Sequence, residues 1–334
     1  MTLQYKVGAR FPGPLGTSPW IMGGRLPGPL GFKQVNLAQG GAAKVHKTLT
    51  MPPPPNIINS VIRARTVSWK LGKNGKKMPA TGDVQQGALA NCPVGAILAA
   101  LAHTVSGRTR IDSLITQYVG ASVETTLSAN VMTVLSSEKQ EGGNPDYTPQ
   151  VKTLLSNRYF AVTLGNTIEV SDAFYVKETG QSSGLEDMVY MDSPNQVLWP
   201  CVIEKAYAVK LKSYEELDDP KHTVEEFWEV LVGKKPVVIR DGNMTEQKIR
   251  AAAIAASKVP TIGATRDEVP KIDNTGATRV DSDHGYAVLG IQGSSIELYN
   301  PWGKTEKISI KDFRTRCGVT SCTMIFETNI GFKS

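Results

Sequence analysis

The stretch from Gln86 to His103 restricts the fold more than any other part of the chain. It reads Gln86-Gly-Ala-Leu-Ala-Asn-Cys92, then Pro93-Val-Gly-Ala-Ile-Leu-Ala-Ala-Leu-Ala-His103. A polar, glycine-containing turn gives way at a cysteine to an Ala/Leu/Ile run of helical length, with no breaker after Gly95. Asn91 is a favoured N-cap, and Pro93 suits a first helical turn, where its missing N–H is not needed. The Cys92 thiol is therefore expected at a helix N-terminus, whose partial positive charge favours thiolate over thiol. Gln86, six residues earlier, can bring a side-chain N–H to the same place. That is the layout of a nucleophile with an oxyanion donor. The competing reading of Cys92 is a small apolar residue at the end of a buried helix. The second half of the chain decides between them.

There, Asp283-His284-Gly-Tyr-Ala-Val-Leu-Gly-Ile291 reads as a strand entered from a polar loop, and Gly293-Ser294 can turn the chain. Ile296-Glu-Leu-Tyr-Asn300 reads as the returning strand, closed by Pro301-Trp-Gly303. With the turn at 293–294, residue numbers facing each other sum to about 587. His284 and Asn300 then share the open end of one hairpin. Asn300 can accept from the His284 ring and orient it, with Trp302 covering the bond. A base oriented by a third group and facing a thiol is the arrangement of an activated cysteine. His46, His103 and His222 lack a partner of this quality in the sequence.

Charge divides the chain. Residues 1–82 hold twelve Lys/Arg and no Asp or Glu, leaving 25 basic against 31 acidic residues in the remainder. The basic arm suggests contact with nucleic acid, anionic lipid or a transport machine, or a solvated tail. No nucleic-acid partner is expected for the protein. Gly8–Gly16 and Gly23–Gly31 repeat one Pro/Gly-rich pattern, and Pro52–Pro55 is a stiff spacer. Residues 1–77 are thus expected as a flexible Pro/Gly-rich segment: a tail, an autoinhibitory pro-segment or a delivery signal. No apolar run reaches the roughly 20 residues of a membrane span. Four cysteines are too few for a disulfide scaffold in a chain of 334 residues, which predicts reduced thiols in a reducing, cytoplasmic-type compartment.

Helical patterns follow at Ile111–Tyr118 and around Val131–Ser136, and 142–146 is a loop. Val151–Leu155, Tyr159–Leu164, Thr167–Val170, Phe174–Val176 and Met188–Met191 read as short strands, with a hairpin turn at Gly165-Asn166. Leu198–Ala208, Thr223–Leu231 behind a capping box, and Thr245–Ser257 read as helices. Pro236–Ile239 is a strand, and from Val259 the pattern is mostly β. An α-rich first half and a β-rich second half suggest an α+β fold of two lobes with a cleft between them.

These residues resemble the calpain-type branch of the papain-like cysteine proteases. The resemblance runs over the nucleophile turn Gln86–Cys92, the stretch Leu198–Ala208 with Ser213–Leu217, His284-Gly-Tyr-Ala-Val288 and Asn300-Pro-Trp-Gly303, in the family's order. It spans about 78 to 328. It implies a Cys lobe over about 78–230, helical in character, and a β-rich His/Asn lobe over about 231–328. It also implies an endopeptidase acting on protein substrates through a thioester, with Cys92, His284, Asn300 and Gln86 as the catalytic residues. Pro93 stands where the family usually has tryptophan, and Ala90-Asn91 where Gly-Asp is usual. Calcium is associated with the family, but its core calcium sites find no residue-by-residue counterparts here, so no cofactor is expected. A compact core behind a basic arm resembles microbial effector or toxin proteases exported without a classical signal. The alternatives are a transglutaminase-like acyl-transferase, which would give the same thioester to an amine, and a catalytically dead binding module.

Overall fold

The computed structural model describes residues 33–37, 45–52, 60–64, 78–127, 153–177, 188–195, 197–217, 219, 221–240, 243–265, 280–281, 284–316 and 322–326. The expected helix at 131–136 and loop at 142–146 lie outside these.

Helix α1, Cys92–His103, begins at the cysteine with Pro93 in its first turn. Every residue from Val94 to Ala102 is buried. A helix apolar all round belongs inside a core, and α1 is the centre of the larger of two main apolar clusters. Thr104 ends α1 and caps α2, Val105–Leu114, by accepting from the Gly107 N–H at 3.0 Å. The helix expected over 111–118 therefore stops at Leu114, and β4 (Ile115–Leu127) takes over. Ile115, Thr116, Val119, Val123, Thr125 and Thr126 are β-branched and lose rotamer freedom in a helix. Burial alternates along much of β4, with Ile115, Gln117, Ala121, Val123 and Thr125 facing inward.

Strand β4 organises a five-stranded sheet. The two predicted strands at 151–164 are one strand, β5 (Thr153–Leu164), antiparallel to β4. It turns at Gly165, φ 85°, into β6 (Asn166–Ser171). The other edge of β4 is covered by the segment expected to be flexible. Both β1 (Lys33–Asn36) and β2 (His46–Met51) run parallel to β4. Lys47 Nζ meets both Glu169 oxygens at 2.7 Å, tying β2 to β6. Met51 is fully buried, and the Tyr175 hydroxyl donates to the Pro52 carbonyl at 3.0 Å. β3 (Ser60–Ala64) pairs antiparallel with β7 (Ala173–Lys177). A boundary at 78 would separate paired strands. Alternating residues such as His46-Lys-Thr-Leu-Thr-Met51 add to an open sheet edge whatever charge surrounds them.

Helix α3 (Trp199–Leu211) packs behind this sheet, and α4 (Val224–Val232) starts at the Thr223/Glu226 capping box. The first half is thus a mixed layer of helices and sheet, not a helical lobe. β4 accounts for the difference, because its β-branched content outweighs the helical spacing seen over 111–118, and β1 and β2 add to its other edge.

The second sheet is six-stranded and antiparallel, in the order β12 (Lys304–Ser309), β11 (Ser295–Asn300), β10 (Gly285–Gln292), β9 (Thr261–Thr265), β13 (Cys322–Phe326), β8 (Val237–Arg240). Helices α5 (Glu246–Ala255, capped by Thr245) and α6 (Ile310–Arg316) cover it. Tyr286, Val288, Ile296, Leu298, Phe313 and Met324 belong to its own apolar cluster.

The β10–β11 hairpin turns at Gly293, φ 63°, as expected. Gln292↔Ser295, Ile291↔Ile296 and Gly290↔Glu297 keep the sum of 587. Leu289 is then skipped, and Val288↔Leu298 and Ala287↔Tyr299 sum to 586. This β-bulge shifts the register by one residue on the side leading to His284 and Asn300.

Candidate active site

The turn before Cys92 is pinned from two directions. Gln85 and Asp192 exchange backbone bonds at 3.0 and 2.7 Å, and Ala88 N–H donates to the Val189 carbonyl at 2.9 Å. Gln86 N–H donates to the Pro301 carbonyl at 2.8 Å. Residue 87 must be glycine, since a Cβ there would lie 2.0 Å from the Tyr190 carbonyl oxygen. Gly95 has a similar role one turn into α1, where a Cβ would come 3.0 Å from Pro301 Cβ. The cysteine turn and the Asn300-Pro301 turn are therefore packed against each other.

Cys92 is 6 % exposed and opens α1. Its Sγ accepts from the Gly285 backbone N–H at 3.3 Å, which sets the sulfur beside the residue that follows His284. A Cβ on Gly285 would sit 3.3 Å from the Cys92 carbonyl oxygen, so the strand approaches the helix closely. His284, 5 % exposed, bonds through Nε2 to Asn300 Oδ1 at 2.9 Å. Since a carbonyl oxygen only accepts, the proton of that bond is on Nε2. Asn300 Oδ1 also accepts from the Trp302 N–H at 3.0 Å. The Trp302 ring, half exposed, lies with its centroid 4.5 Å from that of His284, and the Tyr286 ring meets His284 edge-on at 4.8 Å. Cys92, His284 and Asn300, 192 and 16 residues apart along the chain, are thus brought together.

Gln86 is placed differently from the expectation. Its Nε2 donates to the Leu89 carbonyl at 2.5 Å, inside its own turn, and its buried Oε1 finds no partner among the described residues. An amide nitrogen has two hydrogens, so one donor remains after that bond.

Three carboxylates that sequence reasoning passed over bear on the same region. Asn300 Nδ2 faces Asp281 Oδ2 and Glu306 Oε1, each at 3.4 Å. The amide therefore shows its oxygen to His284 and its hydrogens to two acids, which only an amide can do. Burial raises the Glu306 pKa, with Asp281 adding to it. The third acid is Glu204 on α3. Asn91 occupies the N-cap position of α1 but makes no side-chain cap bond. Instead its Nδ2 donates to Glu204 Oε1 at 2.7 Å, while Met191 N–H donates to Oε2 at 2.9 Å. Next to it, Lys205 Nζ donates to the Ser171 carbonyl and hydroxyl, both at 3.1 Å, and to the Ala173 carbonyl at 2.5 Å. A Glu-Lys pair inside an otherwise apolar helix is the sequence signal that could have pointed here.

Burial pushes the Glu204 carboxyl up from its ordinary 4.5 to about 7, against the pull of Asn91 and Met191. The facing hydroxyls of Tyr190 and Tyr214 are raised by burial and stay neutral. A raised acid binds more protons folded than unfolded, so its stabilisation is complete below pH 4.5 and is lost as pH climbs through 7. The rise corresponds to on the order of 3 kcal/mol. Unfolding free energies from urea titrations between pH 4.5 and 7 are expected to fall more for the wild type than for Glu204→Gln, by a difference of that order. Lys205, lowered by burial to about 7, acts in the next window with the opposite sign, adding stability as pH rises toward 10.5. Parallel slopes in the two proteins would contradict the assignment.

The remaining histidines are placed elsewhere. His46 pairs with Ser122 and Glu124, His222 with Glu216 and Glu226, and His103 with the Leu289 carbonyl. Among the described residues no three His, Cys, Asp or Glu side chains are grouped to hold a metal ion, and no step below is routed through one. No helix among them is long and apolar enough to cross a membrane.

A sequence model of the calpain family cysteine proteases matches residues 167–309. The matched span includes α3, His284 and Asn300, while Gln86 and Cys92 precede it. No curated protein matches the chain.

Proposed function

We propose that this chain, with the calpain-type cysteine protease core that the family match supports, is an endopeptidase that cleaves protein substrates at Cys92. The observation that carries the reading is one contact set: Gly285 N–H on Cys92 Sγ at 3.3 Å, and His284 Nε2 on Asn300 Oδ1 at 2.9 Å. The cysteine at the positive end of a buried helix favours the anion. Asn300 holds the imidazole by Nε2, which leaves Nδ1 for the thiol proton.

In the reaction the thiolate attacks the scissile carbonyl carbon, forming a C–S bond. The carbonyl electrons move to oxygen, where the Cys92 N–H and the second Gln86 amide hydrogen can stabilise them. As the tetrahedral intermediate collapses the C–N bond breaks, and the imidazolium of His284 gives its proton to the leaving amine. Water then attacks the thioester, giving its proton to His284, and the product carboxylate leaves with the thiol restored. The proposal includes a two-lobed, papain-like arrangement in which substrate enters between the α1 turn and the β10–β11 hairpin. The acid-free, basic first 82 residues, part of which form strands β1–β3 of the folded body, suit delivery into another cell.

A thiol-directed epoxide tests the reading on the full chain. Mass analysis is expected to find the label on Cys92 in folded protein, together with loss of cleavage of labelled casein. Absence of labelling at Cys92 in folded protein would refute it.

A further inference from the structure

The far end of α1 carries a histidine that the proposed reaction does not use. His103 Nε2 lies 2.7 Å from the carbonyl oxygen of Leu289. The oxygen accepts, so the ring N–H donates, and both the imidazolium and the Nε2–H tautomer can make this bond. Leu289 is the extra residue of the β10 bulge, with Val288 opposite Leu298 and Gly290 opposite Glu297. A bulged residue is left out of the ladder, and its half-buried carbonyl can take a donor from outside the sheet. His103 supplies it from a different element. Arg108 Nη1 closes the same helix end by donating to the Ala102 and His103 carbonyls at 3.1 and 3.2 Å.

The bulge controls which side of the sheet Asn300 occupies. Side chains alternate faces along a strand, so a slip of one residue exchanges them. Below the bulge, Ala287 and Tyr299 face the core around α1, while Tyr286, Val288 and Leu298 face the second core. Asn300 therefore shares the face of Tyr286 and His284. An unbroken sum of 587 would set Asn300 opposite Ala287, on the other face from His284. α1 thus bonds β10 toward both ends of the helix: Cys92 Sγ at Gly285, where the site is, and His103 at Leu289, where the register changes.

We propose that His103 is a positioning residue for this site, holding the Leu289 bulge that puts His284 and Asn300 on one face and aligned with α1. This rests on the reading of Cys92 and His284 as nucleophile and base.

The test measures alkylation of Cys92 by iodoacetamide between pH 5 and 9, with kcat and KM on labelled casein, for the full chain and its His103 variants. A wild-type cysteine paired with His284 reacts well below pH 8.5, the ordinary thiol value. His103→Ala is expected to lower the rate at pH 6 about tenfold or more and to move the profile toward that of an ordinary thiol. kcat should fall with KM little changed. His103→Gln, whose amide can donate to the same carbonyl, should stay within about threefold of wild type. A folded His103→Ala protein with the wild-type profile would overturn the proposal. If that variant does not fold, His103→Gln against His103→Met decides, since both fill the space and only glutamine donates; equal rates would overturn it. A wild type that itself follows the ordinary-thiol profile would sink the nucleophile reading, and this proposal with it, whereas a reactive wild type matched by His103→Ala sinks this proposal alone.

Discussion

Cys92→Ala is expected to lower peptide-bond cleavage on the order of 10⁴–10⁶-fold, the range seen when a covalent nucleophile is removed. Folding should survive it. Cys92 is buried at the start of a helix whose other residues already hold α1 in the core, and alanine is the best helix former. The loss includes the sulfur acceptor for the Gly285 N–H, about 1 kcal/mol for a weak hydrogen bond. Parallel measurement of turnover and thermal midpoint separates the two effects. Turnover within tenfold of wild type would mean that the chemistry happens elsewhere.

His284→Ala should cost about as much as Cys92→Ala, and the double variant little more, because residues acting as a unit are not additive. Asn300→Ala should cost less, about tenfold to a hundredfold, since it loosens the imidazole without removing it. Its thermal midpoint should also fall, because Asn300 Oδ1 serves the Trp302 N–H as well as His284. Asn300→Asp is the sharper test. An aspartate could still orient a histidine, but here it would put a third carboxylate against Asp281 and Glu306, each 3.4 Å from the amide nitrogen. Like charges at that spacing disfavour ionisation of the group. Asn300→Asp is therefore expected to be no better than Asn300→Ala at pH 7. Wild-type turnover in Asn300→Asp would show that the acids do not govern this position.

Much of the candidate site was legible as residue types at particular places. Asn91-Cys92-Pro93 marks a helix start whatever surrounds it, and Gly293-Ser294 marks a hairpin that returns Asn300 toward His284. What each side chain does there was less legible. Asn91 looked like a cap, yet a buried carboxylate on α3, 113 residues away, draws its amide off the helix. Gln86 looked free to face the thiol, yet it first satisfies its own turn. The N-terminal segment showed only charge and prolines, and its strands exist because β4 presents an edge to them. Helical spacing at 111–118 was real over its first half only, since spacing over two turns cannot tell a short helix from the approach to a strand.

The chain alone determined the kind of each main element around the site and where it begins or turns. Those choices rest on φ freedom, missing N–H groups and side-chain periodicity within a few residues. Tertiary structure decided which face Asn300 takes. Tyr286, Val288 and Ile291 are spaced two and then three apart, a break in alternation that signals a bulge once it is known that all three face one core. Whether the strand accepts that extra residue depends on room for Leu289 against the α1 core and on a donor for its carbonyl. Both come from a helix about 186 residues earlier in the chain. A period of two makes one residue enough to separate His284 from Asn300, and only packing between distant elements sets that residue.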